Sequence, residues 1–222
     1  MKPELLALPM PRLHWAKARK IAALGGLLIS APAGSEPMAN AAFIEQVGDY
    51  NAVRVTQAGS GNDARVRQEG AGNSLAMEQN ASDGLVAYPG GNHAEVSVTG
   101  DGNVGRAFSQ AGAGNTDMTT VVGNQNEFAL VQQGQGNQAF QAVNGDDNSV
   151  STNQNGVGNY SSLAVEGMDN RVNQAQIGNN NTSTLNVEGS GNTVIQQQLG
   201  SGLNYSLTLT GNRQTVEVTQ SN

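Results

Sequence analysis

The stretch that decides the fold is VQQGQGNQAFQAVNGDDNSVSTNQNGVGN, residues 131–159. It is rich in Asn, Gln and Gly and almost free of large apolar side chains, yet it repeats itself. Asn stands at 137, 148 and 159, in each case three residues after a Gly. A polar stretch that keeps an eleven-residue spacing is built from equivalent units, and such periodicity is typical of solenoids and other repeat architectures.

The same spacing extends over most of the chain, with one step of nineteen and one of twelve residues. Six residues after the Asn position a second pattern has twice the period, because Gln at 110, 132, 154, 176, 198 and 220 alternates with Val or Leu. The repeat is therefore twenty-two residues in two unlike halves. A disordered, prion-like tract is the alternative for this composition, but it has no reason to keep two registers at once.

Within each half the side chains alternate between two faces. In NAVRVTQ, residues 51–57, one side carries Asn51, Val53, Val55 and Gln57, and the other carries Ala52, Arg54 and Thr56. Period two is the signature of a strand with one buried face. Two such strands and two Gly-containing turns close one coil. The predicted fold is all-β, a parallel β-solenoid with about 22 residues per coil and an amyloid-like cross-β arrangement.

The inward Asn and Gln explain why the sequence repeats. A buried amide without a partner costs a few kcal/mol, whereas identical amides stacked about 4.8 Å apart can bond to each other along the stack. Each amide then requires the same residue in the next coil. Asn next to Gly is also a common turn residue, and that simpler interpretation applies to each Asn taken singly. Gln at the strand ends has no such turn preference and favours the ladder.

The first forty residues differ in composition from the remainder. Lys17, Arg19 and Lys20 precede the apolar run IAALGGLLISAPA, which predicts an export signal peptide over residues 1–41 and a mature domain over 42–222. The small-x-small pair Ala39 and Ala41 marks the cleavage site, with Ala31 and Ala33 as the earlier option. The run is too short to span a bilayer comfortably, and the alternative is an interfacial or buried helix.

Composition limits the function classes. The chain has no Cys, so disulfides and thiolate metal sites are excluded. Residues 42–222 carry six Arg against sixteen Asp and Glu, a net charge of −10, which disfavours nucleic acid as a partner. His93 stands alone and the carboxylates are expected on turns and outer faces. We therefore expect no catalytic residue, no cofactor and no metal site.

Two further features bear on assembly. The segment 80–91 breaks the register and holds Pro89, which cannot donate to a sheet ladder, so an irregular segment is predicted there. Neither AAFIEQVG, residues 41–48, nor the last strand, residues 214–220, provides an element that would cap the stack. Open sheet edges of this kind add further strands.

The units QVGDYNAVRVTQ (46–57), QAGSGNDARVRQ (57–68) and QEGAGNSLAMEQ (68–79) resemble the curlin repeat of curli subunits. The resemblance implies an exported chain that assembles outside a Gram-negative bacterium into amyloid fibres serving adhesion and biofilm matrix. It also implies a second curlin-like subunit and an outer-membrane export apparatus as partners, with no transmembrane segment in the mature chain. Whether this chain corresponds to the major subunit, the nucleating subunit or a divergent relative stays open.

The family pattern also implies the self-assembly ladder. Its predicted members are Asn51, Asn62, Asn73, Asn115, Asn126, Asn137, Asn148, Asn159, Asn170, Asn181 and Asn192, with Gln57, Gln68, Gln132, Gln154, Gln176 and Gln198.

The competing function is a monomeric exported β-solenoid that binds a surface or ligand, as ice-binding or adhesin-like proteins do. It predicts a uniform ladder such as Thr-x-Thr on one outer face. The outer residues vary instead, with Ser149, Ser151 and Asn153 on one strand and Arg171 and Asn173 two strands on. The fibre subunit is therefore the preferred prediction.

Overall fold

The chain folds into two facing parallel β-sheets, and successive strands belong alternately to one sheet and the other. The computed structural model describes residues 25–30, 39–82 and 90–222, with side chains from residue 39 onward. All regular structure in these ranges is strand. The odd-numbered strands form one nine-stranded sheet and the even-numbered strands an eight-stranded sheet. The predicted parallel solenoid, with coils about 22 residues apart, is confirmed.

The strand bounds follow the Asn register of the sequence. The odd sheet contains β1 (Gly25–Ser30), β3 (Ala52–Ala58), β5 (Ser74–Ala81), β7 (Val104–Ala113), β9 (Glu127–Gln135), β11 (Ser149–Val157), β13 (Arg171–Asn179), β15 (Thr193–Leu199) and β17 (Thr215–Ser221). The even sheet contains β2 (Ala41–Val47), β4 (Asp63–Glu69), β6 (His93–Thr99), β8 (Thr116–Val122), β10 (Gln138–Asn144), β12 (Tyr160–Glu166), β14 (Thr182–Glu188) and β16 (Asn204–Thr210).

Strand pairing keeps equivalent positions in register. Gln138 of β10 pairs with Tyr160 of β12, and Ser149 of β11 pairs with Arg171 of β13, each 22 residues on. Because a one-residue slip would turn every inward side chain outward, the alternation in the sequence fixes this register.

The twelve-residue step of the sequence is absorbed by a β-bulge. The pairing of β7 with its neighbours shifts between Arg106 and Ser109, and Ala107 there has φ of 50°. The extra residue is left out of the ladder, as bulges allow. Of the predicted irregular segment 80–91, Asn80 and Ala81 still belong to β5, while Pro89 lies outside the described residues.

The space between the sheets is filled by alternate residues of both. Its largest fully buried apolar side chains are Phe128, Leu75, Leu130, Leu163 and Leu185. The rings of Phe108 and Phe128, from adjacent odd strands, meet edge to face with centroids 5.7 Å apart. Apolar side chains therefore fill much of the space between the sheets. Buried polar side chains such as Gln141, Thr152 and Gln174 share this space, and amides line the turns and the ends of the odd strands.

Candidate functional site: the amide ladders

An inner Asn at the start of a strand bonds to the coils on both sides. Asn126 donates from its backbone N and from Nδ2 to Oδ1 of Asn103, both at 3.0 Å. Its Nδ2 also donates to the carbonyl oxygen of Gly145 in the following coil, at 2.7 Å. Its Oδ1 in turn accepts from the backbone N of Asn148 at 3.0 Å, so the Asn126 side chain uses its acceptor and both of its donor hydrogens within the stack, which satisfies a buried amide.

The Gly-x-x-Asn spacing of the sequence has a direct cause in this geometry. Gly145 has φ of 124°, a conformation that side chains other than hydrogen rarely adopt. A Cβ at this position would overlap the carbonyl oxygen of Gly167 in the next coil. The glycines therefore allow the turns to stack closely, and their carbonyls receive the Asn amides of the preceding coil.

Two Asn ladders run along the two turn edges. One joins Asn40, Asn62, Asn92, Asn115, Asn137, Asn159 and Asn181, and the other joins Asn51, Asn73, Asn103, Asn126, Asn148, Asn170 and Asn192. Leu203 and Gln214 take the next position in each, and only their backbone N–H groups continue the pattern.

The Gln at the end of each odd strand closes the gap between the two sheets. Nε2 of Gln132 donates to Oε1 of Gln154 in the next coil and to the carbonyl oxygen of Thr116 on the even strand opposite, both at 2.9 Å. One of the two hydrogen bonds thus runs along the stack, and the other joins the odd sheet to the even sheet. This ladder joins Gln57, Gln79, Gln110, Gln132, Gln154, Gln176, Gln198 and Gln220.

The even sheet has Gln at the corresponding position in only its first two strands. Gln46 donates to Gln68 at 3.0 Å, but the next strand carries Val98 at this position. Nε2 of Gln68 is consequently buried without a partner. From Val98 to Leu209 this row is apolar, which explains why the sequence period is doubled.

All seventeen residues predicted as ladder members lie in these rows, and the structure adds seven more. The additional members are Asn40, Asn92, Asn103, Gln46, Gln79, Gln110 and Gln220. Gln46 begins the first and Gln79 ends the last of the motif units that carry the family resemblance, and Asn92 and Asn103 keep the Asn register, so the sequence contained a signal for these four residues. The role of these residues in assembly stays a prediction.

Asp117 contradicts the expectation that the carboxylates lie on turns and outer faces. Its side chain is 0% exposed and faces inward from β8. Thr119 donates to Oδ1 at 3.0 Å, while Oδ2 has no hydrogen-bond partner. Burial raises the pKa of this carboxyl well above its usual value, and the bonds from Thr119 and the backbone of Met118 offset only part of that shift. The alternation from Asn115 places residue 117 inward, so the sequence already implied this position.

The charged side chains of the outer surface are concentrated on the first even strands. Arg65 lies 3.2 Å from the Asp63 carboxylate, and Arg67 lies 3.2 Å from that of Glu69. His93, predicted to be alone, has Nδ1 3.2 Å from Asp63 Oδ2. These pairs are half-exposed and contribute little stability. Within residues 39–82 and 90–222, no group of three or more His, Asp or Glu side chains could hold a metal ion.

Four of the described turns that lead from even to odd strands carry acidic residues, namely Asp49, Asp101, Asp146, Asp147 and Asp169, and the last of the described turns carries Arg213. The opposite turn edge has no charged residue within its described Gly-x-x-Asn and Gly-x-x-Leu units. Side-chain acceptors such as Asp146 Oδ1 receive the backbone N–H of Asn124 in the coil before, at 2.7 Å. No helix that could cross a membrane occurs among the described residues.

Comparison with known proteins identifies the repeat. Residues 38–70, 48–80 and 145–173 each match the family model of the curlin associated repeat. The first two matches cover β2 to β5, where Gln ends the strands of both sheets. No curated protein and no solved structure matches the chain.

Proposed function

The chain is a member of the curlin-repeat family, and from that premise we propose that it is the structural subunit of an extracellular amyloid fibre. Curlin repeats indicate a curli-type fibre subunit of bacteria. The subunit would polymerise by strand stacking through its Asn and Gln ladders, and the fibre would serve cell adhesion and the biofilm matrix of a Gram-negative bacterium.

The observation that carries this proposal is that the coils repeat one arrangement and that the strands at the two ends of the stack could pair with a further coil. The eight coils formed by β2 to β17 repeat one arrangement, and β16 and β17 leave the inward side chains Tyr205, Leu207 and Val216 partly exposed. A further coil placed there would cover them and pair with the free strand edges. A second copy entering with β2 and β3 has the matching strand lengths.

The proposal includes export of the chain. Residues 1–41 would serve as a signal peptide, and residues 42–222 would form the curlin-like domain. β1 belongs to the apolar run of this leader and pairs with the edge of β3, where a preceding copy would have to add. Removal of the leader would therefore free that edge. Asn40 is a rung of one ladder, so cleavage after Ala33 would keep a rung that cleavage after Ala41 removes. N-terminal sequencing of the exported chain decides between them.

The proposed partners are other copies of the chain, a second curlin-like subunit and an outer-membrane export apparatus. The net charge of −10 over residues 42–222 supports neither nucleic acid nor an anionic membrane surface as a partner. The curlin family is structural, and we propose a function without catalysis or cofactor.

A surface-binding monomer is less well supported than a fibre subunit. A flat recognition face would need one residue type repeated along an outer row. The central outer row of the even sheet instead reads Phe43, Arg65, Glu95, Met118, Phe140, Ser162, Thr184 and Ser206. The uniform rows of this solenoid are the inward ones, which suits self-stacking.

The test is seeded growth of the exported, processed chain. After release from denaturant, we expect amyloid-dye fluorescence to rise after a lag, and a small amount of preformed product to shorten that lag. Fibre diffraction should show the spacing of about 4.8 Å along the axis. A chain that remains monomeric with full sheet content, with and without seeds, would refute the fibre and favour the surface-binding solenoid.

A further inference from the structure

Two inward rows of the even sheet become polar at the same place. In one row Asp117 lies between Ala94 and Ala139 of the adjacent strands. In the next row Thr119 and Gln141 interrupt a run of Val and Leu. Asp117 and Gln141 are 0% and 2% exposed. Neither belongs to the Asn and Gln ladders, so the stacking proposed above does not account for them.

Two oxygens of this polar group are buried without a hydrogen bond. Thr119 donates to Oδ1 of Asp117 at 3.0 Å, which leaves Oδ2 without a partner. Gln141 donates from Nε2 to the carbonyl oxygen of Ala129 at 3.1 Å, and that bond fixes the orientation of the amide. Its Oε1 is the second oxygen without a partner. Each of these oxygens destabilises the fold unless a donor hydrogen reaches it.

The two oxygens belong to side chains that lie against the same part of β9. Across the two sheets, Ser161 donates to Gln174, 13 residues further along the chain. The same offset places Asp117 opposite Leu130 of β9, which follows the residue whose carbonyl binds Gln141. The two side chains come from adjacent strands of the even sheet, β8 and β10, and therefore approach each other across one coil.

No neighbouring cation compensates a negative charge on Asp117. The strands packed against it, β6, β7, β9 and β10, present no ionisable side chain to the interior. Their ionisable residues lie on the outer faces and are His93, Glu95, Arg106 and Glu127. An ionised carboxylate would therefore be desolvated without a counter-ion. A carboxyl that keeps its proton instead offers the donor that the amide oxygen of Gln141 lacks.

We infer that Asp117 is protonated in the folded chain and donates from Oδ2 to Oε1 of Gln141, in a hydrogen bond that exists only while the proton is bound. One proton then satisfies two buried oxygens in adjacent coils. When the proton leaves, two oxygens face each other, so the closure of the coils from β8 to β10 depends on pH. Burial raises the pKa of this carboxyl, which agrees with retention of the proton.

The sign of the effect on assembly follows from this bond. Because the pKa of Asp117 is raised in the fold, its contribution is full below the unfolded pKa and is lost as the pH rises through the folded pKa. If copies of the chain grow by stacking folded coils, as the proposed function has it, acid promotes growth and loss of the proton opposes it.

The hydrogen bond is tested by infrared absorption of the refolded, processed chain at about pH 6, where exposed carboxyls with a pKa near 4 are ionised. We expect one band of a protonated carboxyl, which is lost in Asp117→Asn. In Gln141→Leu the band should shift to higher frequency, because the C=O stretch of a carboxylic acid rises when its O–H loses its acceptor. The matched control Gln174→Leu removes another buried inward Gln and should leave the band in place.

Circular dichroism checks the folding of each variant, and Gln141→Met replaces Gln141→Leu if the latter does not fold. Absence of the band in wild type would overturn the inference. An equal band position in the variants of Gln141 and Gln174 would overturn the assigned acceptor.

Seeded growth tests the coupling to pH and separates it from the proposed function. Asp117→Asn keeps a donor N–H at this position at every pH, whereas wild type loses its donor as the pH rises. The ratio of residual monomer, wild type to variant, should therefore rise at least about tenfold between pH 4 and pH 8, since one pKa unit corresponds to a factor of about ten. A constant ratio would overturn the coupling while leaving the fibre intact. Absence of seeded growth in both chains would overturn the proposed function, and the infrared band would still decide the hydrogen bond.

Discussion

Replacement of Gln154 by Ala tests whether the crossing amide ladder holds the coils together. Gln154 makes three hydrogen bonds of 2.9 Å: it accepts from Gln132, and it donates to Gln176 Oε1 and to the carbonyl of Gln138. At about 1 kcal/mol each, their loss alone costs about 3 kcal/mol. Oε1 of Gln176 would also remain buried without a donor, and a cavity would form. We therefore expect a destabilisation of about 3–6 kcal/mol.

The neighbouring Asn153 provides the matched control. It also bears an amide, but it faces outward on the same strand and is exposed. Asn153→Ala should change the free energy of unfolding by less than about 0.5 kcal/mol. Gln154→Leu separates the two causes, since it restores volume but no hydrogen bond. Its stability should stay closer to that of the Ala variant than to wild type.

The assay is denaturant unfolding of monomeric chain that has just been refolded from denaturant, monitored by far-ultraviolet circular dichroism. The dependence of the unfolding free energy on denaturant concentration is checked for two-state behaviour. In a solenoid each coil contacts only its neighbours, so loss of one rung also weakens the coupling between the two halves of the stack. Equal midpoints for Gln154→Ala and Asn153→Ala would refute the assigned ladder. So would full recovery in Gln154→Leu, because stability would then come from packing alone.

Three further predictions follow from other positions. Asn137→Ala should slow seeded fibre growth more than the outward Ser151→Ala, because Asn137 bonds to Asn115 and to the carbonyl of Gly156; equal growth rates would contradict the inward register. Gly145→Ala should destabilise by more than about 2 kcal/mol, whereas Gly72→Ala, with φ of 69° and no atom within 4 Å of an added Cβ, should cost only about 1 kcal/mol; thermal unfolding of the two variants compares them. Asp117 should make the folded chain more stable in acid: its pKa is raised in the fold, so its stabilising contribution is full below the unfolded pKa and is lost as the pH rises through the folded one. Unfolding midpoints at pH 4 and pH 8 should differ less in Asp117→Asn than in wild type, while the exposed-turn control Asp147→Asn should retain the difference.

Much of the candidate site could be predicted from the sequence because the same residues repeat from coil to coil along the axis of the solenoid. An inward Asn137 or Gln154 requires the same residue one coil away, so the chemical requirement appears directly as a period in the sequence. Gln46 and Gln79 stand at the ends of the motif units but were not predicted as ladder members, and the structure adds them. The prediction that the carboxylates lie on turns and outer faces was wrong for Asp117. The alternation from Asn115 puts residue 117 inward, but the prediction followed the general rule that carboxylates are exposed.

The sequence by itself determined the coil length, the two sheets and the inward rows, since all three follow from spacings of two, eleven and twenty-two residues along the chain. Only the tertiary structure decided which atoms meet. It joined Asn126 to the carbonyl of Gly145 and Gln132 to that of Thr116, and it placed the extra residue of the twelve-residue step as a bulge at Ala107. The physical reason is that an amide has two donor hydrogens with separate directions. One follows the repeat, and the other is directed by whichever carbonyl the turns and the facing sheet bring within reach.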